Sequence, residues 1–197
     1  MNLLIKFKDR LNKYYLFKNP LYALISISLC KFLYGFYTSA IGLILVPVGE
    51  RFNIGIKIQS AVFPFNYFGQ VVIIFFVGYF ADKLGQKAVH TLFLFLIGAF
   101  SIIFRYMDNF YLFLILFFFM GLFGISINTI ADAAVSDTFE NKKGFYLNIA
   151  HVFFGLGSLS SPIIFNFLFK TTKDFRSIYF ILFIISAVII FLITAAR

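Results

Sequence analysis

Six long apolar stretches follow one another along the chain, at 21–48, 58–80, 88–106, 110–135, 144–169 and 177–195, with only short polar breaks between them. Each is close to or longer than the roughly 20 residues that a helix needs to cross the hydrocarbon core of a bilayer. Backbone N–H and C=O groups find no water there, so a run of this length has to satisfy its hydrogen bonds within itself. All six are therefore predicted as helices. A membrane barrel would alternate apolar and polar positions over segments of about ten residues, and no such alternation is present. The expected class is an all-α membrane protein with six transmembrane helices.

The polar residues inside these stretches are not scattered. At 100° per residue, Lys31, Tyr34, Gly35, Thr38 and Gly42 share one face of the first helix. Gln59, Asn66 and Gln70 share a face of the second, and Gly121, Gly124, Asn128 and Asp132 a face of the fourth. The fifth has the longest stripe: Asn148, His151, Gly155, Ser158, Pro162 and Asn166. The third carries Thr91, Gly98, Ser101 and Arg105 on a face that reads as helix packing, and the sixth has no coherent stripe. Small residues in such stripes let helices approach. Asn66, Gln70, Asn128 and Asn148 serve equally well as glue between helices or as contacts to a solute.

Composition agrees with the pattern. Of 197 residues 61% are hydrophobic and 13% charged, about half the charged share that keeps an ordinary globule wet; mean hydropathy is +0.95. There are 32 Phe and no Trp, so the 11 Tyr must supply any interfacial belt. The net charge of +9 would suit a nucleic-acid binder, but the cations sit in clusters between apolar runs, as topology signals do. No nucleic-acid partner is expected. Cys30 is solitary within an apolar run, so no disulfide, metal or cofactor framework is expected.

Lys6, Lys8, Arg10, Lys13 and Lys18 precede the first apolar run. That run is too long for a signal-peptide core, and residues 1–20 read as a basic cytoplasmic segment ahead of a membrane domain at 21–197. With the N-terminus inside, Lys83, Lys87, Lys142, Lys143 and Arg197 are also cytoplasmic, against Arg51, Lys57, Arg105, Lys170, Lys173 and Arg176 outside. The bias favours both termini in the cytoplasm of a plasma-membrane protein.

The segment from Gly78 to Lys87 follows the second helix. It resembles the signature loop of the major facilitator superfamily, with Gly78, Asp82, Lys83, Gly85 and Lys87 matching; Phe80, Lys83 and Gln86 depart mildly from the usual residues. Physically, Gly78 would allow close helix approach, Asp82 could pair with basic groups or cap a helix, and Gly85 would permit a tight turn. The resemblance implies the N-terminal six-helix half of a twelve-helix transporter. In that architecture helices 1, 2, 4 and 5 line the cavity, helices 3 and 6 lie outside, and this loop gates conformational change without touching solute. The run Asn148–Gly157 with Ser161-Pro162, and more loosely Asn128 and Asp174-Phe175-Arg176, is similar to the sugar-permease branch, which includes fucose and glucose permeases.

The implied function is secondary transport of a small solute, a sugar or a small organic anion, by alternating access. The partners expected are the bilayer, the solute, and a C-terminal six-helix half or a second copy. Candidate cavity residues are Lys31, Tyr34, Thr38, Asn66, Gln70, Asn128, Asn148 and His151. Lys31 is the sharpest of them, because a cation deep in a span costs at least about 2.5–3.5 kcal/mol on insertion scales. It is expected in a water-accessible cavity, directed at solute or at a carboxylate from the missing half, unless it snorkels to the headgroups. Asp132 is expected in a charge pair or at a helix end. The absence of a carboxylate from the first helix argues against proton symport. Two other readings remain. One is a non-transporting scaffold or partner subunit. The other is an intramembrane hydrolase, which the spacing of Ser158 and His151 and the outward direction of Ser126 disfavour; no catalytic residue is assigned.

Overall fold

The computed structural model describes residues 20–195, so all but the last residue of the basic segment at 1–20 lies outside the described residues. The elements are α1 (Pro20–Leu43), α2 (Leu45–Phe52), α3 (Ile56–Gln59), α4 (Val62–Leu84), α5 (Gln86–Arg105), α6 (Phe110–Thr138), a 3-10 turn (Glu140–Lys142), α7 (Lys143–Thr172) and α8 (Ser177–Ala195). Six of the described helical segments are long and apolar enough to cross a membrane: α1, α3 running into α4, α5, α6, the 3-10 turn running into α7, and α8. The protein is thus an all-helical, multi-pass bundle.

Two predicted spans are cut near a proline. The first was expected to run to residue 48, but α1 stops at Leu43 and α2 restarts at Leu45. A proline ring collides with the carbonyl four residues before it, and for Pro47 that residue is Leu43. Pro64 likewise conflicts with Ser60, where α3 ends and before α4 begins. Gln59 therefore leaves the stripe it was predicted to share with Asn66 and Gln70. It is buried beside Gly49, where a Cβ would overlap its Oε1.

The spans pack in three pairs, α1 with α7, α4 with α6 and α5 with α8, and α1 also contacts α6 and α8. Two of the pairs are clasped by reciprocal glycines. A Cβ on Gly35 would overlap the Phe154 carbonyl oxygen, and one on Gly157 the Phe32 carbonyl oxygen. A Cβ on Gly69 would overlap the Phe118 carbonyl oxygen, and one on Gly121 that of Asn66. In all four cases the carbonyl belongs to the residue three before the opposing glycine, so the two clasps share one register. In the third pair, a Cβ at Gly98 would lie 2.7 Å from Ser186 Oγ.

Burial is uneven. α1 is the most enclosed span, with 67% of its apolar stretch buried, against 11% for α7. Over its 30 residues α7 buries only Ala150, Gly157 and Ser161. Among the described residues α4 and α7 are the least covered spans, and they carry large exposed side chains including Phe75, Phe76, Leu159, Ile163 and Phe167.

Candidate functional site

α1 brings Lys31 to the middle of the bundle, roughly 16 Å from the helix start at 1.5 Å per residue. The ammonium has no exposed surface. It lies 2.6 Å from Asp132 Oδ1 and donates a 2.8 Å hydrogen bond to Asn128 Oδ1. Asn128 and Asp132 are four residues apart on α6, so one helical face supplies both acceptors. Across from them α7 places His151 Nε2 4.0 Å from Asp132 Oδ1. Exposure rises along this series, from 0% at Lys31 to 36% at Asp132 and 56% at His151. The charge is buried, its counter-ion is partly open, and the imidazole stands at the surface of α7.

A second chain of contacts is uncharged. The Tyr34 hydroxyl donates to Gln70 Oε1 at 3.2 Å, and Gln70 Nε2 donates to Asn66 Oδ1 at 2.9 Å. Asn66 Nδ2 donates to the Phe117 carbonyl at 3.0 Å and to the Tyr37 hydroxyl. Asn66 and Tyr37 are buried, whereas Tyr34 and Gln70 are partly open. Every bond here links neutral groups, and the amides use both their donor and their acceptor ends.

The predicted site residues divide accordingly. Lys31 and Asn128 meet directly, and Tyr34, Gln70 and Asn66 form one line. Thr38 turns back on its own helix, its hydroxyl donating to the carbonyls of Tyr34 (3.0 Å) and Gly35 (3.1 Å). Asn148 and His151 are exposed on α7. The expectation that Lys31 sits in a water-accessible cavity is not met: it is sealed beneath Asp132, and the carboxylate comes from α6 of the same bundle. Asp132 is the open end of the cluster, and Tyr37 is a further partner that apolar periodicity hid. The signal for Asp132 was its place one turn after Asn128 on the same face.

The signature loop takes a specific shape. Gly85 has φ 89°, ψ 140°, and serves as both the C-cap of α4 and the N-cap of α5. A side chain is strained at that φ. Gly78, predicted to allow close helix approach, has nothing within 4 Å of an added Cβ and is exposed on α4. Asp82 is exposed in the last turn of α4, and Lys83 Nζ donates to the Tyr79 hydroxyl at 3.2 Å. Lys87 begins α5 beside Gln86, whose amide donates to Asp137 Oδ2 at 2.7 Å and ties the loop to the end of α6.

At the opposite ends of the spans, charges alternate along a rim. Arg51 pairs with Asp108, Asp108 with Arg176 at 3.4 Å, Arg176 with Asp174 at 3.0 Å, and Asp174 with Arg105 at 3.5 Å. Partial burial pushes the Asp174 carboxyl up, but the guanidinium of Arg176, aided by Arg105, outweighs it and holds the group below the usual carboxylate range. Near this rim a cavity of about 520 Å³ opens between the ends of α5, α7 and α8. Its walls, among them Ile102, Leu168 and Phe180, are mostly apolar, and it is remote from Lys31. The serines weighed for hydrolysis are engaged by backbone: Ser126 donates to the Leu122 carbonyl at 2.7 Å, and Ser158 to the Gly35 carbonyl at 3.2 Å.

No curated protein matches the sequence. The family model of the Major Facilitator Superfamily matches residues 27–197, through all six spans. Membership implies secondary transport across a bilayer, and the family is typically non-enzymatic. An all-helical bundle with six candidate spans matches the half bundle of that family, and the chain belongs to the major facilitator superfamily.

Proposed function

We propose that this chain is the N-terminal half of a secondary active transporter for a small polar solute, a sugar or a small organic anion. It works by alternating access against a second six-helix bundle. The observation that carries this reading is the gathering of polar groups from α1, α4, α6 and α7 within the described bundle, with Asp132 36% and His151 56% exposed. The second bundle is a C-terminal half or another copy of this chain. The similarity of Asn148–Gly157 to sugar permeases favours a sugar, and the buried cation favours an anion. Lys83 and Lys87 orient the signature loop to the cytoplasm, with both termini, in a plasma membrane.

Uptake of labelled sugars and small carboxylates by cells carrying the chain and its second bundle tests this. Deletion of the chain should abolish uptake of at least one of them. Asp82→Asn should slow uptake and leave solute affinity within a few-fold, because Asp82 stands in the signature loop and not among the groups that contact Lys31. A cysteine at position 57 should label from outside, and one at 83 should not. The scaffold reading predicts unchanged uptake of every solute after deletion, and that result would replace the carrier.

A further inference from the structure

The cavity of about 520 Å³ where α5 and α7 end and α8 begins is polar at its mouth and apolar within. Its size falls in the range of small-molecule sites, about 300–1,000 Å³. Arg105 and Thr172 come from the last turns of α5 and α7, and Ser177 from the first turn of α8. Leu168, Phe180 and Ile181 line it about one turn, or roughly 5 Å, deeper in the spans. Phe180 is 56% exposed, so the apolar part opens onto the outer surface of the bundle, which in a membrane faces lipid.

Two polar groups of this cavity lack good partners. Ser101 is fully buried, stands one turn deeper than Arg105 on α5, and its hydroxyl has no hydrogen-bond partner among the described residues. Arg105 is held loosely: Nη1 lies 3.5 Å from Asp174 Oδ2 and 3.4 Å from Ser177 Oγ, against about 2.7–2.9 Å for a well-made charge-assisted bond. Along the rim Arg51, Arg176 and Arg105 face only Asp108 and Asp174. Asp174, the carboxylate nearest the mouth, is gripped by Arg176 from Nε at 3.0 and 3.1 Å and from Nη2 at 3.0 Å. The surplus cation of the rim therefore falls on Arg105.

We propose that this cavity binds one anionic phospholipid of the bilayer, with its phosphate on Arg105, an ester carbonyl on Ser101 and one acyl chain along the apolar wall. In such a lipid the esters lie between the phosphate and the chains, and the cavity repeats that order from its mouth inward: guanidinium, hydroxyl, apolar side chains. The guanidinium fork suits phosphate oxygens, and Ser101 has one O–H to donate. A soluble anion would use the mouth alone, leaving Ser101 orphaned and the apolar wall bare. A lipid without net charge would cover the wall and leave the rim one anion short. Only an amphipathic anion meets all three requirements. The site is remote from Lys31 and stands whether or not the chain is a carrier half.

The test is native mass spectrometry of the chain released from detergent, titrated with phosphatidylglycerol or with phosphatidylcholine of the same acyl chains. One phosphatidylglycerol should be retained with about tenfold higher affinity, the order that one charge-assisted hydrogen bond supplies. It should also raise the unfolding midpoint more than phosphatidylcholine does at the same concentration, as a ligand of the native state must. Arg105→Gln should erase the preference and leave the weaker affinity common to both lipids, and Arg105→Lys, which keeps the charge, should retain most of it. Ser101→Ala should weaken both lipids by the same few-fold, since both carry esters. A photoreactive acyl chain should label Leu168 and Phe180 ahead of Phe75, which is exposed on α4 outside the cavity. Equal retention of the two lipids by the folded wild-type chain would overturn the proposal without recourse to any variant, and so would a preference that survives Arg105→Gln. Displacement of the lipid by an equal concentration of glycerol phosphate would reduce the site to an anion contact at the mouth and sink the lipid.

Discussion

The α1/α7 and α4/α6 pairs are built on the same backbone clasp and carry opposite kinds of polar cargo. In each, two glycines let each helix press on a carbonyl of the other, three residues before the opposing glycine. Beside the first clasp lies a buried charge, Lys31 with Asp132 and His151. Through the second runs the neutral line Tyr34–Gln70–Asn66–Tyr37. The exchange of α1 for α6 and α4 for α7 maps one clasp onto the other and leaves α5/α8 paired with itself, as the inverted three-helix repeats of this family require. The repeat thus constrains the backbone at four positions while the side chains around it diverge. What is shared is packing, and what differs is chemistry.

The largest expected effect tests the shared part. Gly121→Val and Gly157→Val each place a branched side chain into a backbone carbonyl on the neighbouring helix, where no rotamer change relieves the overlap. Overpacking costs about 1–3 kcal/mol even when side chains can yield, so here the folded fraction should collapse, equally for the two clasps. Gly78→Val and Gly155→Val, with open space around them, should leave the folded fraction of this chain near wild type. Size-exclusion profiles and SDS unfolding midpoints measure both. A tolerated Gly157→Val beside a lethal Gly121→Val would break the equivalence of the pairs.

The next effect tests the difference. Asp132→Asn strands a fully buried ammonium, and breaking a buried pair in this way costs about 3–5 kcal/mol. Lys31→Met strands a carboxylate that is 36% exposed and can recruit water, so about 1–3 kcal/mol is expected. The double variant should recover most of the loss, a coupling that a double-mutant cycle reads directly. On the neutral side Gln70→Ala should cost about 0.5–1.5 kcal/mol, the net worth of an ordinary hydrogen bond. If Lys31→Met proves the more damaging single change, the order of burial assigned to the pair is wrong.

The sequence read well wherever one helix carries its own signal. Six spans, the turn at Gly85 and the faces holding Lys31 and Asn128 all follow from hydropathy, glycine and 100° periodicity. What lay beyond it were facts about two helices at once. Periodicity places Lys31 on a polar stripe, but only the α1–α6 contact shows that the stripe is sealed by Asp132. The absence of a carboxylate from the first helix argued against proton coupling, yet the fourth span delivers one to the same point. Gly78 and Gly121 look alike as small residues in apolar runs, and only the packing separates the exposed one from the clasped one. The same limit applies to Pro47 and Pro64: both were expected inside unbroken spans, and the loss of Gln59 from its stripe appears only once α3 and α4 part.

The smallest expected difference lies at the far end of α7, where the rim holds the connection to α8. Arg176 donates to Asp174 from its backbone N–H (3.0 Å) and from its guanidinium (3.0 Å). Asp174 titrates below the ordinary carboxylate value of about 3.9 because these cations outweigh its partial burial. A carboxyl with a depressed folded value contributes stability that is fully present above its ordinary value and is lost as pH falls through the lower, folded one. Nothing should change between pH 7 and about pH 5, and the loop should loosen only below about pH 4. The observable is the exchange protection of the Arg176 amide, corrected for intrinsic rates, which should drop a few-fold across that window. Asp174→Asn should remove the dependence, and high salt should weaken it, because the rim is partly exposed. The α4/α6 pair should hold steady over the same range at its Gly69–Gly121 clasp, which contains no titrating group. Constant Arg176 protection down to pH 3 would show that the rim pairs are decoration on a loop held by α8, and that the two clasps differ in the membrane alone.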